Sequence, residues 1–448
     1  MLLNKHIIVG ICGGIASYKA VELVSRLQQA GALVDVVMTE HAEDFVRPLT
    51  FATMSHRPVS TDLWEASGQA AERHIALAEA ADALVIVPAT ANTIAKLAYG
   101  IADNMLTAVA LATKAPLLLA PAMYHEMYRH PATQANLALL RERGAEVVEP
   151  EVGRLASGAI GPGRLPETAV LMGAISMLLG RHGDLAGRRV VVTAGGTQEP
   201  LDPVRYIGNR SSGKMGYALA VEARDRGAHV TLISGPVALA TPYGVAFQKT
   251  ETAQQMRDAV FTAITNADAL VMSAAVADFR AVAPAAHKMK KESMKGVKGV
   301  KGVEGMEQAS QRSAIEAVNA KDAEYHDGVQ QDEQRVFPLY LTHNPDILGE
   351  LAASFDRQQR SGQLQRRLIR VGFAAETDDV LTHAQSKLLR KQLDLLVAND
   401  VSRSDSGFGT ETNKVFVFHA TGAVEDLPVM PKAEVAAIIW DRVVSLLG

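Results

Sequence analysis

HIIVGICGG at 6–14 and RRVVVTAGG at 188–196 each read as a β-branched run that stops on two glycines. The first is followed by a helical pattern, SYKAVELVSRLQQAG (17–31), and a second apolar run, ALVDVVMTE (32–40). After a longer loop the second leads into YALAVEARDRG (217–227) and AHVTLISG (228–235). Both copies then reach an Ala-Asp-Ala-Leu-Val run, in ADALVIVPATA (81–91) and ADALVMSAAVAD (267–278). Strand, glycine turn, helix, strand is the unit of a parallel sheet covered by helices. The chain is therefore expected to be α/β, with two doubly wound, Rossmann-like domains. GRHGDLAGR (180–188) is glycine-rich, charged and weakly periodic, which places the boundary there and gives domains 1–183 and 184–448. The near-repeat KGVKGVKGVEG (295–305) and the polar, acidic stretch after it read as a solvated, flexible insertion at 291–335.

With 448 residues the chain exceeds one core. Its 45 basic and 49 acidic residues leave a formal charge of −4, which argues against a nucleic-acid partner held by counterion release. The 5% aromatic content argues against base stacking as well. No apolar run reaches the roughly 18–20 residues of a membrane helix. MLLNKHIIVGICGG ends its apolar stretch in glycines, as a first strand does and a secretory signal does not. The single cysteine, Cys12, excludes an intrachain disulfide framework and fits a reducing compartment, so a cytoplasmic location is expected.

In the first half, Gly10-x-x-Gly13-Gly14 departs from the dinucleotide fingerprint G-x-G-x-x-G. Glycines in this place let backbone N–H groups approach a phosphate at a helix N-terminus, although a tight strand–helix turn alone also explains them. PATANTIAKLAYGIADN (88–104) sets Thr90 and Asn92 just past the C-terminal end of a strand, where doubly wound sheets bind ligands. Together with PAM (121–123), these stretches resemble the flavin-mononucleotide-dependent cysteine decarboxylases. Within them the likeness is to the N-terminal half of the bifunctional phosphopantothenoylcysteine decarboxylase/phosphopantothenate–cysteine ligases of coenzyme A biosynthesis. The resemblance implies a flavodoxin-like domain with FMN lined by Gly13, Gly14, Ile15, Thr39, Ala89 and Thr90. His74, in ERHIALAEAADAL, matches the family's catalytic histidine; a near-neutral base suits removal of the substrate's thiol proton. Two positions depart from the family. Tyr124 stands where Pro-x-Met-Asn has its asparagine, and Ser157, in GRLASGAIGPGRL, replaces a proton-donating cysteine. A thiol, with a pKa of about 8.5, is the far better acid, which leaves Tyr124, beside His125, as a substitute donor.

In the second half, Gly208-x-x-x-x-Gly213-Lys214 has the spacing of a P-loop, yet Met215 occupies the magnesium-binding Ser/Thr position. Pro200 and Pro203 also precede it, so a P-loop is rejected and a plain anion site retained. TAGGTQEPLDPVRYIGNRSSGKMG (193–216), SAAVADFR (273–280), NPDIL (344–348), GFAAET (372–377) and ANDV (398–401) resemble the ligase half of the same family. The resemblance implies CTP-dependent coupling of 4′-phosphopantothenate to cysteine through an acyl-cytidylate. Asn209 matches the residue contacting that intermediate, with Arg205 nearby. Ala274 and Asp278 match nucleotide contacts, Lys288 the charge on the activated phosphate, and Phe373 the neighbour of the cytosine. Lys387 and Lys391, four apart, are expected on one helix face gripping the triphosphate, with Asn344, Pro345 and Asp346 alongside. Taken alone, these lysines read as solvated charges and Phe373 as core. His343 replaces the family's usual lysine. Magnesium is implied by the triphosphate, its protein ligands being unassigned. The resemblance also implies a homo-oligomer. The alternatives are a ligase with a non-catalytic flavin domain, and an NAD(P)-dependent oxidoreductase, whose glycine fingerprint neither turn fits.

Overall fold

The computed structural model describes residues 2–64, 72–289, 339–360, 367–376, 380–400 and 409–448. The expected insertion at 291–335 lies outside them. Strands β1 (His6–Ile11), β2 (Leu33–Met38), β3 (Ala83–Ala89), β4 (Leu117–Pro121) and β5 (Glu146–Val147) form a parallel sheet in the order β2-β1-β3-β4-β5. Helices α1 (Ser17–Gln29), α2 (Pro48–Ser55), α3 (Arg73–Ala80), α4 (Ala91–Tyr99), α5 (Met105–Ala112), α6 (His125–Arg129), α7 (Pro131–Glu142) and α8 (Thr168–Gly180) accompany it. Successive residues of β1 feed opposite faces. Ile7, Val9 and Ile11 join Leu23 of α1 and Ile175 of α8, while Ile8 and Cys12 join Ile94 of α4 and Leu106 of α5. Burial on both faces is why the strand reads as one continuous apolar run. The chain leaves β1 toward β2 on one side and β3 on the other, so the switch point lies past Ile11 and Ala89. A hairpin, β6 (Glu151–Arg154) and β7 (Ile160–Arg164), follows this sheet.

The second half supplies β8 (Arg189–Ala194), β9 (Gln198–Pro200), β10 (Tyr206–Gly208), β11 (His229–Ser234), β12 (Ala246–Lys249), β13 (Ala269–Met272), β14 (Phe279–Ala281) and β15 (Leu341–His343). Then come β16 (Ile369–Glu376), β17 (Leu395–Asp400), β18 (Thr412–Asn413), β19 (Val415–His419), β20 (Val424–Asp426) and β21 (Met430–Pro431). Eight of these make one sheet, β12-β11-β8-β13-β16-β17-β19-β20, parallel from β12 to β17 and antiparallel beyond. Its helices are α9 (Lys214–Asp225), α10 (Ala253–Ala263), α11 (Ile347–Arg360), α12 (Val380–Arg390) and α13 (Lys432–Leu447). Trp440 of α13 is fully buried, and its indole donates to Leu219 O of α9 at 2.8 Å, so a large apolar group enters the core with its polar atom satisfied.

The halves meet through α8, the end of α9 and the loop before β12. The Tyr243 hydroxyl donates to Glu146 Oε1 at 3.1 Å, and Arg224 donates to Tyr243 O at 2.7 Å. Burial, reinforced by the Glu146 carboxylate, pushes the Tyr243 phenol up to about 12. Arg224 is itself buried and paired with Asp225. Gly244 admits Met177 of α8, whose Sδ would stand 2.5 Å from a Cβ at 244.

Candidate active sites at two switch points

In the first sheet the loops after β1, β2, β3 and β4 converge at one end. Cys12 is sealed beneath α4; burial pushes its thiol up, against hydrogen bonds from Thr93 and Thr90. That position makes it part of the floor, with no reactive exposure. Gly13 lies against the His41 backbone, 2.7 Å from the His41 carbonyl oxygen to a built Cβ, so no side chain fits there. A Cβ at Gly14 would instead meet open space. Among the described residues no acceptor meets the amides of Gly13, Gly14 or Ile15. An open turn with unspent donors ahead of α1 is a cradle for a phosphate. Thr39 closes the end of β2, its amide donating to Ile11 O at 3.0 Å. Ala89 is buried at the end of β3, and Thr90 caps α4, accepting from Thr93 N at 3.3 Å. These positions fit a flavin phosphate and its ring-bearing arm at the switch point.

His74 sits in the first turn of α3, which runs back from β3 and so brings its N-terminus toward the same end of the sheet. Its Nδ1 is sealed from solvent and meets no partner among the described residues. Leaving such an atom unpaired costs about 1–3 kcal/mol, which points to a ligand or a partner. Tyr124 is 43% exposed, with its ring 4.2 Å from that of His125. His125 Nε2 faces Glu126 Oε1 at 3.0 Å, and its Nδ1 is buried with no partner among the described residues.

The hairpin β6–β7 is fastened to this segment at its base. Met123 N donates to Gly163 O at 3.0 Å, and a Cβ at Gly161 would stand 2.8 Å from His125 Cβ. Ser157 lies at the other end, in the exposed turn closed by Leu155 N to Ala159 O at 2.8 Å. The serine in the expected donor position thus faces solvent, whereas Tyr124 and His125 lie against the hairpin's base.

In the second sheet β11 lies on one side of β8 and β13 on the other, so the switch point lies past the ends of β8 and β13. Residues 198–208 fold as the antiparallel pair β9–β10, with Gly208 pressed to 2.5 Å (built Cβ) from Thr197 O. Lys214 is engaged elsewhere, donating to Gly409 O at 2.9 Å and Glu411 Oε1 at 2.5 Å. A phosphate-wrapping P-loop is thereby ruled out. The Asn209 amide donates to the carbonyls of Ala275 and Val276, each at 3.2 Å, and bridges the two loops that leave β8 and β13. Two hydroxyls that sequence reasoning passed over complete the lock: Thr193 Oγ1 accepts from Ala274 N at 3.1 Å, and Thr197 Oγ1 from Ala277 N at 2.9 Å. A threonine closing a valine run at a strand's C-terminal end was the available signal.

Around this lock stand several charges. Asp278 is exposed, and its carbonyl accepts from Asn344 N at 2.9 Å. Asn344 donates to Ala277 O at 2.8 Å, while Arg280, also missed in sequence, donates to His343 O at 2.5 Å and Asn344 Oδ1 at 3.2 Å. Asn344-Pro345-Asp346 is therefore a shaped loop before α11. Arg205 donates to Met289 O at 3.0 Å, and Asp202 accepts from Met289 N at 3.2 Å, which hold exposed Lys288 beside the 200–205 turn.

One expectation needs correction. Lys391 does not share a helix with Lys387, because α12 ends at Arg390; only its amide, donating to Lys387 O at 3.0 Å, continues the turn. Its ammonium is bound to Asp346 Oδ1 at 2.8 Å. Burial alone would raise the Asp346 carboxyl, but the Lys391 bond and the Gly349 amide bring it below its ordinary value. Phe373, half-buried on β16, packs against the core beneath α9 and α13. Among the described residues no group of three or more histidine, cysteine, aspartate or glutamate side chains is placed to hold a metal ion. No described helix is long and apolar enough to cross a membrane.

Comparison with known proteins covers both halves. The Flavoprotein family profile matches residues 1–180. That of the DNA/pantothenate metabolism flavoprotein C-terminal domain matches residues 185–301 and 313–447. The coenzyme A biosynthesis bifunctional protein CoaBC of Bacillus subtilis (strain 168) is 41% identical over 449 residues, spanning 100% of this chain and 98% of its own. Its namesake in Mycobacterium tuberculosis (strain ATCC 25618 / H37Rv) is 42% identical over 455 residues, with the same shares. Among solved structures, the C-terminal domain of a CoaBC protein aligns at 30% identity and a TM-score of 0.41, covering 59% of this chain and 98% of its own.

Proposed function

Because this chain belongs to the family of coenzyme A biosynthesis bifunctional proteins, we propose that it joins 4′-phosphopantothenate to cysteine and then decarboxylates the product to 4′-phosphopantetheine. One observation supports the reading: the Gly13–Gly14 turn stands open past β1, and Asn209 ties the 275–276 carbonyls past β13, each beside the switch point of its sheet. A carboxylate is a poor acyl donor, and CTP converts it to an acyl-cytidylate with release of pyrophosphate. Lys288, Lys387 and Lys391 bind and neutralise the phosphates, Ala274, Asp278, Phe373 and the 344–346 loop seat the nucleotide, and Mg²⁺ arrives on the triphosphate. Asn209, with Arg205 nearby, holds the acyl group while the cysteine amine displaces CMP.

In the first half Gly13, Gly14, Ile15, Thr39, Ala89 and Thr90 would hold FMN, which when bound would take two electrons in oxidation of the cysteinyl group and return the same two after CO₂ has left, so that the protonated product ends as the thiol of 4′-phosphopantetheine. His74 takes the thiol proton. Loss of CO₂ leaves an enethiolate, and the Tyr124 hydroxyl, with His125 beside it, returns a proton to its carbon. A phenol, ordinarily ionising near pH ~10, is a much better acid than the Ser157 hydroxyl. Exposed Tyr18 and Tyr99 on α1 and α4 support assembly of several copies of the chain, and a cytoplasmic location belongs to the same reading.

The test is incubation of the full chain with phosphopantothenate, cysteine, CTP and magnesium, with products followed by mass spectrometry. Formation of phosphopantothenoylcysteine and then phosphopantetheine is expected; failure to release pyrophosphate rejects the ligase step. The solvent-facing Ser157 favours one second reading, a flavin domain kept only for binding. Anaerobic mixing with phosphopantothenoylcysteine decides between them, because a flavin that never bleaches would establish the second.

A further inference from the structure

The two halves dock through the edges opposite their reactive ends. In the first sheet Gly13, Gly14, Ile15, Thr39, Thr90 and Tyr124 follow the C-terminal ends of β1 to β4, whereas Glu146, which accepts from Tyr243, is the first residue of β5. In the second sheet the same holds. The Asn209 lock follows β8 and β13, whereas Tyr243 and Gly244 precede β12. The middle and C-terminal part of α8 and the C-terminal part of α9 complete the contact, Met177 meeting Gly244 and Gly173 meeting Arg224. β1 and β8 each have six residues. At about 3.3 Å per residue, each set of reactive loops stands on the order of 20 Å from the docked edge, facing away from it. Buried Arg224, its partner Asp225, and Tyr243 occupy the join, so among the described residues it is filled by packed side chains.

Resting on the two-step function proposed above, we infer that the acylated cysteine is not passed from site to site within a chain but is released as a free intermediate. The chemistry allows it: an amide-linked phosphorylated acid is stable in water, unlike the acyl-cytidylate, which must stay in the second-half site until the amine attacks. Covalent fusion of the halves then secures equal amounts of the two activities and a common fold, and the flavin site must capture its substrate from solution by its own affinity.

Isotope dilution on the full chain tests this. Sulfur-labelled cysteine, phosphopantothenate, CTP and magnesium are supplied together with a large excess of unlabelled phosphopantothenoylcysteine. Free release predicts a lag before phosphopantetheine appears without the added pool. It also predicts that the label in phosphopantetheine falls in proportion to the excess. Undiluted label with no lag overturns the inference. Pyrophosphate and CO₂ are measured in the same reaction, and absence of either rejects the two-step reading itself and the inference with it, a result distinct from turnover without dilution.

Discussion

Lys391 donates to Asp346 Oδ1 at 2.8 Å, tying the residue just past α12 to the one that opens α11. A triphosphate bound by Lys391 has to compete with this carboxylate. Lys391→Ala is expected to raise the KM for CTP about 10–100-fold, the equivalent of a charged hydrogen bond of about 1.5–3 kcal/mol. Asp346→Asn keeps an acceptor for the Gly349 amide, 3.1 Å away, and should raise KM far less. Equal losses in steady-state kinetics would make the pair purely structural.

Asn209 spends its amide on two carbonyls across the switch point, so Asn209→Ala removes both ties and the side chain proposed to hold the acyl group. Loss of two hydrogen bonds of about 1 kcal/mol each predicts a fall in ligation of about 10–100-fold. Pyrophosphate release in the absence of cysteine should persist. A variant that ligates at the normal rate would remove the assignment.

Gly163 has φ +145°, and a Cβ there would stand 2.0 Å from Met123 O. Gly163→Ala must therefore push the β6–β7 hairpin off the 123–125 segment. Decarboxylation should be lost while ligation, in the other half, proceeds unchanged. Flavin absorbance of the purified variant separates a displaced hairpin from a collapsed domain.

Tyr124→Phe should slow decarboxylation by about 10²-fold or more, the usual scale for a proton donor. Ser157→Ala, at the exposed hairpin tip, should stay near the wild-type rate. His74→Asn should bind flavin yet fail to bleach it anaerobically. The reverse order for Tyr124 and Ser157 in single-turnover traces would return the donor role to the hairpin.

Glu425 is bonded by Arg442 at 2.7 Å and faces His419 at 2.6 Å; the guanidinium is the main cause that brings its carboxyl from 4.5 to about 2. Its depressed folded value means that the unfolded chain binds the extra proton first. The stabilisation is thus full above pH 4.5 and drains away as pH falls toward about 2. Glu425→Gln should flatten the acid limb of the melting-temperature profile in that window, while Glu425→Asp tests whether reach matters.

The two sheets were legible because β1, β3, β8 and β13 are buried on both faces, which writes them as unbroken apolar runs, those of β1 and β8 ended by glycines. The rejection of a P-loop was legible too, from Met215 and two prolines, and Lys214's engagement with the 409–411 segment supplies its structural reason. The hairpin β9–β10 was not, since its closure depends on Gly208 reaching Thr197 O, a contact set by three dimensions. Periodicity carried α12 one residue too far, because Lys391 continues the spacing while Gln392, at φ 49°, turns the chain away. The pairing of Thr193 and Thr197 with amides of the 274–277 loop joins positions about eighty apart, beyond any local pattern.

Burial of Trp440 has an optical consequence. The chain has two tryptophans, and the other, Trp64, is 82% exposed in the first half. One indole is shielded and hydrogen-bonded in the second half, the other open to water, so their emission should separate into a blue and a red component. A water-borne quencher such as iodide will reach only the red one. Each half therefore carries its own intrinsic reporter, and the melting of either can be followed in the intact chain without any label.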